Sequence, residues 1–230
     1  MRISKEITAL HYLTNLFEAL DLGSARDLAL RLLAVLLCLT VHEMSHGLAA
    51  YALGDPTAKS QHRLSLNPLR HIDWFGLAML AFAGFGWAKP VQVNPNYFKK
   101  PKLGMAITAL AGPLSNMVLA LLLMLAARLM LDGGVYIIWL LSFMVSAAMM
   151  SVGLGIFNLI PIPPLDGSKV LFSVLPDRQY NLLMRYERYG MYLLFALIML
   201  GAGGSFLTKA TLSVFDFFSS IVGLRPYISF

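Results

Sequence analysis

The sequence predicts an all-α polytopic membrane protein with about four transmembrane helices, a re-entrant hairpin or loop, and interfacial amphipathic segments. Of its 230 residues, 58% are hydrophobic and 13% are charged, whereas soluble domains have about 45–50% apolar and about 25% charged residues. Several apolar stretches also reach the roughly 20 residues that cross a hydrocarbon core. The apolar excess excludes a disordered chain, and the single cysteine, Cys38, excludes a disulfide scaffold.

Each element follows from its own pattern along the chain. The predicted spans are residues 28–53, 103–131, 134–160 and 189–207. Residues 7–22 gather apolar side chains near one helical face, which predicts an interfacial amphipathic helix. Residues 74–93 contain several glycines and Pro90, so a re-entrant hairpin or loop shielded by protein fits better than a spanning helix. The tail, 211–224, is predicted to form a second interfacial helix.

The basic residues predict the orientation of the chain. Seven of the 18 lysines and arginines lie in residues 54–102 and four in residues 161–188, whereas the connection 129–134 has none. Basic loops stay on the cytoplasmic side of a membrane, so both basic segments are expected there. The net charge of +6 therefore needs no nucleic-acid partner.

The first span contains ionisable residues that a membrane helix rarely keeps without a role, in the run His42-Glu43-Met44-Ser45-His46. Because residues four apart share a helical face, His42 and His46 can hold one metal ion with two imidazoles. Glu43 lies beside that face, near enough to act as a general base toward a metal-held water. A polar cluster that joins helices or relays protons is the alternative.

A zinc ion held by two histidines needs a third protein ligand and an open position for water. The candidates are His11, His62, His71 and buried carboxylates such as Asp166. Asp166 follows a proline-rich break at the end of the third span, a feature tolerated at membrane depth only beside protein or a water-filled cavity. Two structural alternatives stay open, since Asp166 could cap a helix that begins at Gly167 and Asn158 could cap freed carbonyls.

Taken together, these elements resemble the site-2 proteases, and more narrowly the small bacterial members without extra soluble domains. The resemblance covers about residues 28–190. The matching elements are His42-Glu43-Met44-Ser45-His46-Gly47, Arg63-Leu64-Ser65-Leu66-Asn67-Pro68, Ala111-Gly112-Pro113-Leu114-Ser115-Asn116 and the stretch from Asn158 to Gly167. It implies metal ligation by His42, His46 and Asp166, and general base catalysis by Glu43. It also implies a catalytic hydrogen bond from Asn158 to the substrate backbone or the developing oxyanion, and substrate contacts by Gly112 and Asn116. Close helix packing is an equal alternative for Gly112 and Asn116.

The resemblance further implies one integral-membrane metalloprotease domain over residues 1–230. It would comprise an N-terminal amphipathic segment (1–27), a catalytic core (28–190), and a C-terminal span and tail (191–230). One Zn²⁺ per chain would support hydrolysis of peptide bonds within or near the transmembrane segments of membrane protein or peptide substrates. The expected location is a bacterial cytoplasmic membrane with the site facing the cytoplasm, and the partners are those substrates and the lipid bilayer, not nucleic acid. A membrane metal transporter or binding protein, or a proteolytically silent relative, is the alternative.

Overall fold

The computed structural model describes residues 25–76, 89–201 and 203–227. Among these residues the secondary structure is helical, with no β-strand. The predicted amphipathic helix at 7–22 lies outside the described residues, and so does most of the predicted hairpin at 74–93.

Within the described part of the chain, three helices are long and apolar enough to cross a membrane, which confirms the predicted all-α polytopic class. They are α1 (Ala25–Ala52), α3 (Pro101–Asp132) and α4 (Ile138–Leu159), with the short α2 (Thr57–Ser60) after α1. Pro101 opens α3, where its missing N–H has no cost, and α4 ends just before the run of prolines that begins at Pro161.

Helix α3 lies at the centre of the bundle and packs against both α1 and α4. Small side chains line much of the contact between α3 and α4, which lets the two backbones approach closely. The buried core comprises Ala120, Met124, Leu141, Val145, Ala148, Val152 and Phe215, with further residues around them. This core fixes α3 and α4 relative to each other and holds α7 against α4.

The chain after α4 forms α5 (Asp166–Ser173), α6 (Asp177–Met199) and α7 (Gly204–Ile221). The predicted fourth span at 189–207 is not one straight helix, because the axis bends by 88° between α6 and α7. Gly201 and Gly203 adopt positive φ angles of 67° and 81° at this bend, a conformation that glycine tolerates well. Most of the predicted interfacial tail belongs to α7, which packs along α4 and buries Phe215 completely.

Both basic segments lie at the same end of the bundle. Lys102, at the start of α3, forms an ion pair with Asp177, at the start of α6, over 2.9 Å. At this end the prolines after α4 turn the chain so that Asp166 becomes the first residue of α5. Helix α5 packs against α3, which brings Asp166 back toward α1.

Candidate metal centre

The two histidines of α1 meet at their Nε2 atoms. His42 and His46 are one helical turn apart, their ring centroids are 4.5 Å apart, and the two Nε2 atoms are separated by 3.0 Å. Their exposed fractions are only 4% and 9%. The two ring nitrogens are therefore close enough to share one hydrogen or one metal ion, and little water reaches them.

Asp166 completes the group from α5. Its Oδ2 atom lies 3.1 Å from Nε2 of His42 and 3.1 Å from Nε2 of His46. Burial raises the pKa of Asp166, but hydrogen bonds and charge from His42 and His46 outweigh it and hold the pKa below its usual range. The carboxylate is therefore ionised at neutral pH, which suits it to share a cation with the two imidazoles.

These three donor atoms fit zinc. They form a nearly equilateral triangle with edges of 3.0–3.1 Å, and ligands about 2.0–2.1 Å from a tetrahedral zinc ion lie about 3.3 Å apart. Two imidazoles and one carboxylate are also a donor set of catalytic zinc sites, which keep a fourth position for water. Among the described residues, His42, His46 and Asp166 form the group that could hold a metal ion.

The orientation of His46 is set by α3. Its Nδ1 atom lies 2.7 Å from the backbone carbonyl oxygen of Thr108. A carbonyl only accepts, so Nδ1–H is the donor, and a neutral His46 then presents the lone pair of Nε2 to the centre of the triangle. The Nδ1 atom of His42 is buried and has no hydrogen-bond partner among the described residues.

Gly112 lies directly against both histidine rings. A Cβ atom at this position would lie 2.5 Å from Nε2 of His46 and 2.6 Å from Cε1 of His42, closer than Cβ atoms are found to approach other atoms. Any side chain here would displace the rings, so the geometry gives Gly112 a packing role in the site. Gly167 plays a similar part beside Asp166, since its Cβ would lie 2.2 Å from the carbonyl oxygen of Leu159.

Glu43 reaches the cavity from the neighbouring face of α1. Its Oε2 atom accepts a hydrogen bond of 2.8 Å from the backbone N–H of Val91. A second carboxylate holds the same segment, because the fully buried Asp55 accepts a hydrogen bond of 2.7 Å from the backbone N–H of Asn94. The segment 89–94 is therefore held at two points, by Glu43 in α1 and by Asp55 in the turn after α1.

A cavity of about 350 Å³ opens beside the three donor atoms. Its wall includes Glu43 and the histidines, residues 90–93, Thr108, Asn158 and Asp166, and also Lys169, Met184 and Glu187 from α5 and α6. Asn158 donates from Nδ2 to the carbonyl oxygen of Leu154 over 2.9 Å. That amide nitrogen has a second hydrogen available for a group in the cavity.

The other predicted site residues either lie away from the cavity or fall outside the described residues. Asn116 is completely buried between α3 and α4 and does not line the cavity, and its side-chain atoms have no hydrogen-bond partner among the described residues. A substrate contact by Asn116 thus stays a prediction. Of the alternative third ligands, His62 is exposed. The Nε2–H of His71 donates a hydrogen bond of 2.8 Å to the carbonyl oxygen of Ser65. His11 is outside the described residues.

Sequence reasoning did not identify three contributors to the site. The carbonyl of Thr108 and the N–H of Val91 are backbone groups, which every residue carries, so no sequence pattern marks them. The sequence did contain a signal for Lys169, because this residue follows Asp166 by three positions and so shares its helical face.

Comparison with known proteins agrees with this geometry. The model of Peptidase family M50 matches residues 30–135 and 130–201. A Bacillus subtilis (strain 168) protein named "Putative zinc metalloprotease YwhC" is 35% identical over 199 residues, which cover 82% of this chain and 90% of that protein. A Mycolicibacterium smegmatis protein named "Putative zinc metalloprotease Rip2" is 28% identical over 187 residues, which cover 79% of this chain and 71% of that protein.

A third relative, a Mycobacterium tuberculosis (strain ATCC 25618 / H37Rv) protein also named "Putative zinc metalloprotease Rip2", is 29% identical over 170 residues. The matched part covers 71% of this chain and 64% of that protein. No solved structure matches the chain at a comparable level of significance. The family match spans most of the chain, including the two histidines, the glutamate between them and the aspartate of α5. The chain therefore belongs to peptidase family M50, the site-2 proteases, and is an integral membrane metalloprotease with zinc as its cofactor.

Proposed function

We propose that this protein is an intramembrane endopeptidase that hydrolyses peptide bonds within or near the transmembrane segments of membrane proteins. The observation that carries the proposal is the position of the site. His42, Glu43 and His46 lie within α1, a helix long and apolar enough to span the membrane, and Asp166 meets them from just beyond the end of α4. A peptide bond that reaches these residues would come from a chain held at or near the bilayer.

The proposed ligands are His42, His46 and Asp166, and the proposed base is Glu43. When bound, zinc supplies a water of lowered pKa and polarises the scissile carbonyl. Glu43 would accept a proton from the attacking water and deliver it to the leaving amine. The hydrogen bond from Val91 leaves Glu43 aimed along the cavity wall, so the carboxylate needs little rearrangement before the reaction.

Asn158 is the proposed donor to the carbonyl oxygen as negative charge develops on it. Its amide lines the cavity and is held in place by its hydrogen bond to Leu154. Loss of one such donor costs about 3–4 kcal/mol of transition-state stabilisation in other proteases. Gly112 supports the reaction through the space that it leaves for the imidazoles.

The substrate must unwind before it can react, because a helix hides its carbonyls in internal hydrogen bonds. Residues 90–93 run along one wall of the cavity and could pair with an unwound substrate as an added strand. The proposed partners are transmembrane protein or peptide substrates and the surrounding lipid bilayer. The basic segments at the site's end of the bundle favour a cytoplasmic opening in a bacterial inner membrane, through which water enters.

The test compares wild type with Glu43→Gln in detergent, with zinc per chain measured beside cleavage of a panel of single-span membrane proteins. We expect one zinc per chain in both and cleavage by wild type alone. Zinc in both proteins without any cleavage, even in proteoliposomes, would contradict the endopeptidase. Ion flux measured in the same proteoliposomes would then favour a metal transporter.

A further inference from the structure

Lys169 supplies a positive charge to the cavity that the proposed mechanism does not use. Among the described residues that line the cavity, it is the one lysine or arginine. Three acidic residues, Glu43, Asp166 and Glu187, line the same cavity. A single lysine among three acidic residues on the cavity wall is expected to pair with one of them.

The partner is the second oxygen of Asp166. The Oδ2 atom of Asp166 faces the two histidines, whereas its Oδ1 atom lies 3.9 Å from Nζ of Lys169. The two residues are three positions apart on α5, so they share a helical face. The carboxylate thus lies between the two imidazoles at one oxygen and an ammonium group at the other.

This ion pair differs from the other lysine pair of the bundle. Lys102 pairs with Asp177, whose side chain is 85% exposed, and such surface pairs contribute little. The side chain of Asp166 is only 10% exposed, so solvent screens its pairing with Lys169 less than it screens the surface pair. Loss of Lys169 would leave the Oδ1 atom of Asp166 free to turn toward the metal.

We propose that Lys169 is a positioning residue that keeps Asp166 a monodentate ligand and so preserves the fourth zinc position for water. The inference rests on the proposed role of Asp166 as a metal ligand. A carboxylate can bind a metal through one oxygen or both, and the groups around a ligand decide its orientation. With Oδ1 paired to the ammonium at 3.9 Å, only Oδ2 would face a bound metal.

The experiment uses the full-length protein in detergent and the variants Lys169→Met, Lys169→Arg and, as the matched control, Lys209→Met. Lys209 is exposed on α7 and does not line the cavity. Zinc affinity is measured by competition with a chromogenic chelator, and the coordination number is read from the visible absorption of the cobalt-substituted protein. Four-coordinate Co²⁺ absorbs strongly, and a second carboxylate oxygen weakens the bands by raising the coordination number.

We expect Lys169→Met to lower zinc affinity by about 10- to 100-fold and to weaken the cobalt absorption bands. Lys169→Arg restores both because it keeps the charge, and Lys209→Met resembles wild type. If Lys169→Met fails to fold, Lys169→Gln replaces it, since glutamine also removes the charge.

Wild-type affinity and an unchanged cobalt spectrum in Lys169→Met would overturn the proposal, even if cleavage were lost, because Lys169 would then act on substrate. The spectral change in Lys169→Met stands as support even if the wild type cleaves no substrate. The positioning role and the endopeptidase function can therefore fail separately. Absence of zinc from the wild type would overturn both.

Discussion

The backbone N–H of Val91 donates a hydrogen bond to the carboxylate of Glu43 over 2.8 Å, although the two residues are 48 positions apart. The contact joins the proposed base in α1 to the segment that forms one wall of the cavity. It leaves the base on the cavity side of its helix, beside His42 and His46. The positions of the base and of the substrate-facing wall are therefore coupled.

Replacement of Val91 by proline should reduce cleavage about 10- to 100-fold, because it removes the N–H that holds the proposed base. Zinc content should not change, since Glu43 is not one of the proposed ligands. Val91→Ala is the control, because it shortens the side chain but keeps the N–H, and it should cleave nearly as wild type does. Equal activity in Val91→Pro and Val91→Ala would show that the hydrogen bond is dispensable.

Gly112→Ala should lower zinc affinity at least tenfold and reduce stability by about 1–3 kcal/mol, because the new Cβ atom displaces both imidazoles. Gly153→Ala is the matched control in a neighbouring span. Its Cβ atom would meet Thr211 at an ordinary 3.7 Å. Chelator competition and thermal unfolding measure the two effects, and a Gly112→Ala protein that binds zinc as wild type does would contradict the described packing.

Zinc affinity should fall as the pH is lowered from 8 to 5, because protons compete with zinc for the imidazole nitrogens. Asp166 does not cause this loss, because its pKa is held below the usual carboxyl range and the carboxylate stays charged there. With two histidines in competition with protons, affinity should fall up to about 100-fold per pH unit at the acidic end. A zinc titration between pH 5 and 8 checks the slope, and a pH-independent affinity would exclude a pair of imidazole ligands.

Asn116→Ala should change thermal stability and leave the kinetics of cleavage within a few-fold of wild type. The residue is fully buried between α3 and α4, where its backbone oxygen accepts a hydrogen bond of 2.8 Å from Ser151. Steady-state kinetics and an unfolding curve, both on zinc-loaded protein, separate the two effects. A large rise in KM at unchanged stability would instead support the predicted substrate contact.

Substrates whose transmembrane helices are strengthened should be cleaved more slowly. Replacement of glycine, proline or β-branched residues by leucine near the cleaved bond raises the cost of unwinding the helix. A leucine series in one substrate, assayed under single-turnover conditions, should give progressively lower rates. Rates that do not depend on helix strength would remove the unwinding step from the proposed reaction.

The three long spans could be predicted from the sequence, because a span is recognised from the length of one continuous apolar stretch. It also singled out His42, Glu43 and His46, whose relation depends only on helical spacing. It left Asp166 in competition with other residues, since Asp166 lies 124 positions from His42 and only the packing of α5 on α3 brings them together.

The bend between α6 and α7 was missed for a related reason. The stretch 189–207 is apolar enough for a span, but hydropathy does not indicate whether the helix axis stays straight. Gly201 and Gly203 were visible as helix breakers, but the packing of Phe215 on α4 fixes where the chain goes afterwards. The contacts of the Thr108 carbonyl and the Val91 N–H likewise depend on tertiary packing.

The separation of the donor atoms along the chain has a consequence for biogenesis. His42 and His46 leave the ribosome early, whereas Asp166 emerges only after α3, α4 and the proline-rich turn have been synthesised. A nascent chain with only the first span inserted has two of the three donors and an incomplete cavity. The set of three proposed donors is therefore complete only after the third span and the turn have been synthesised, which makes metal loading a late step of biogenesis.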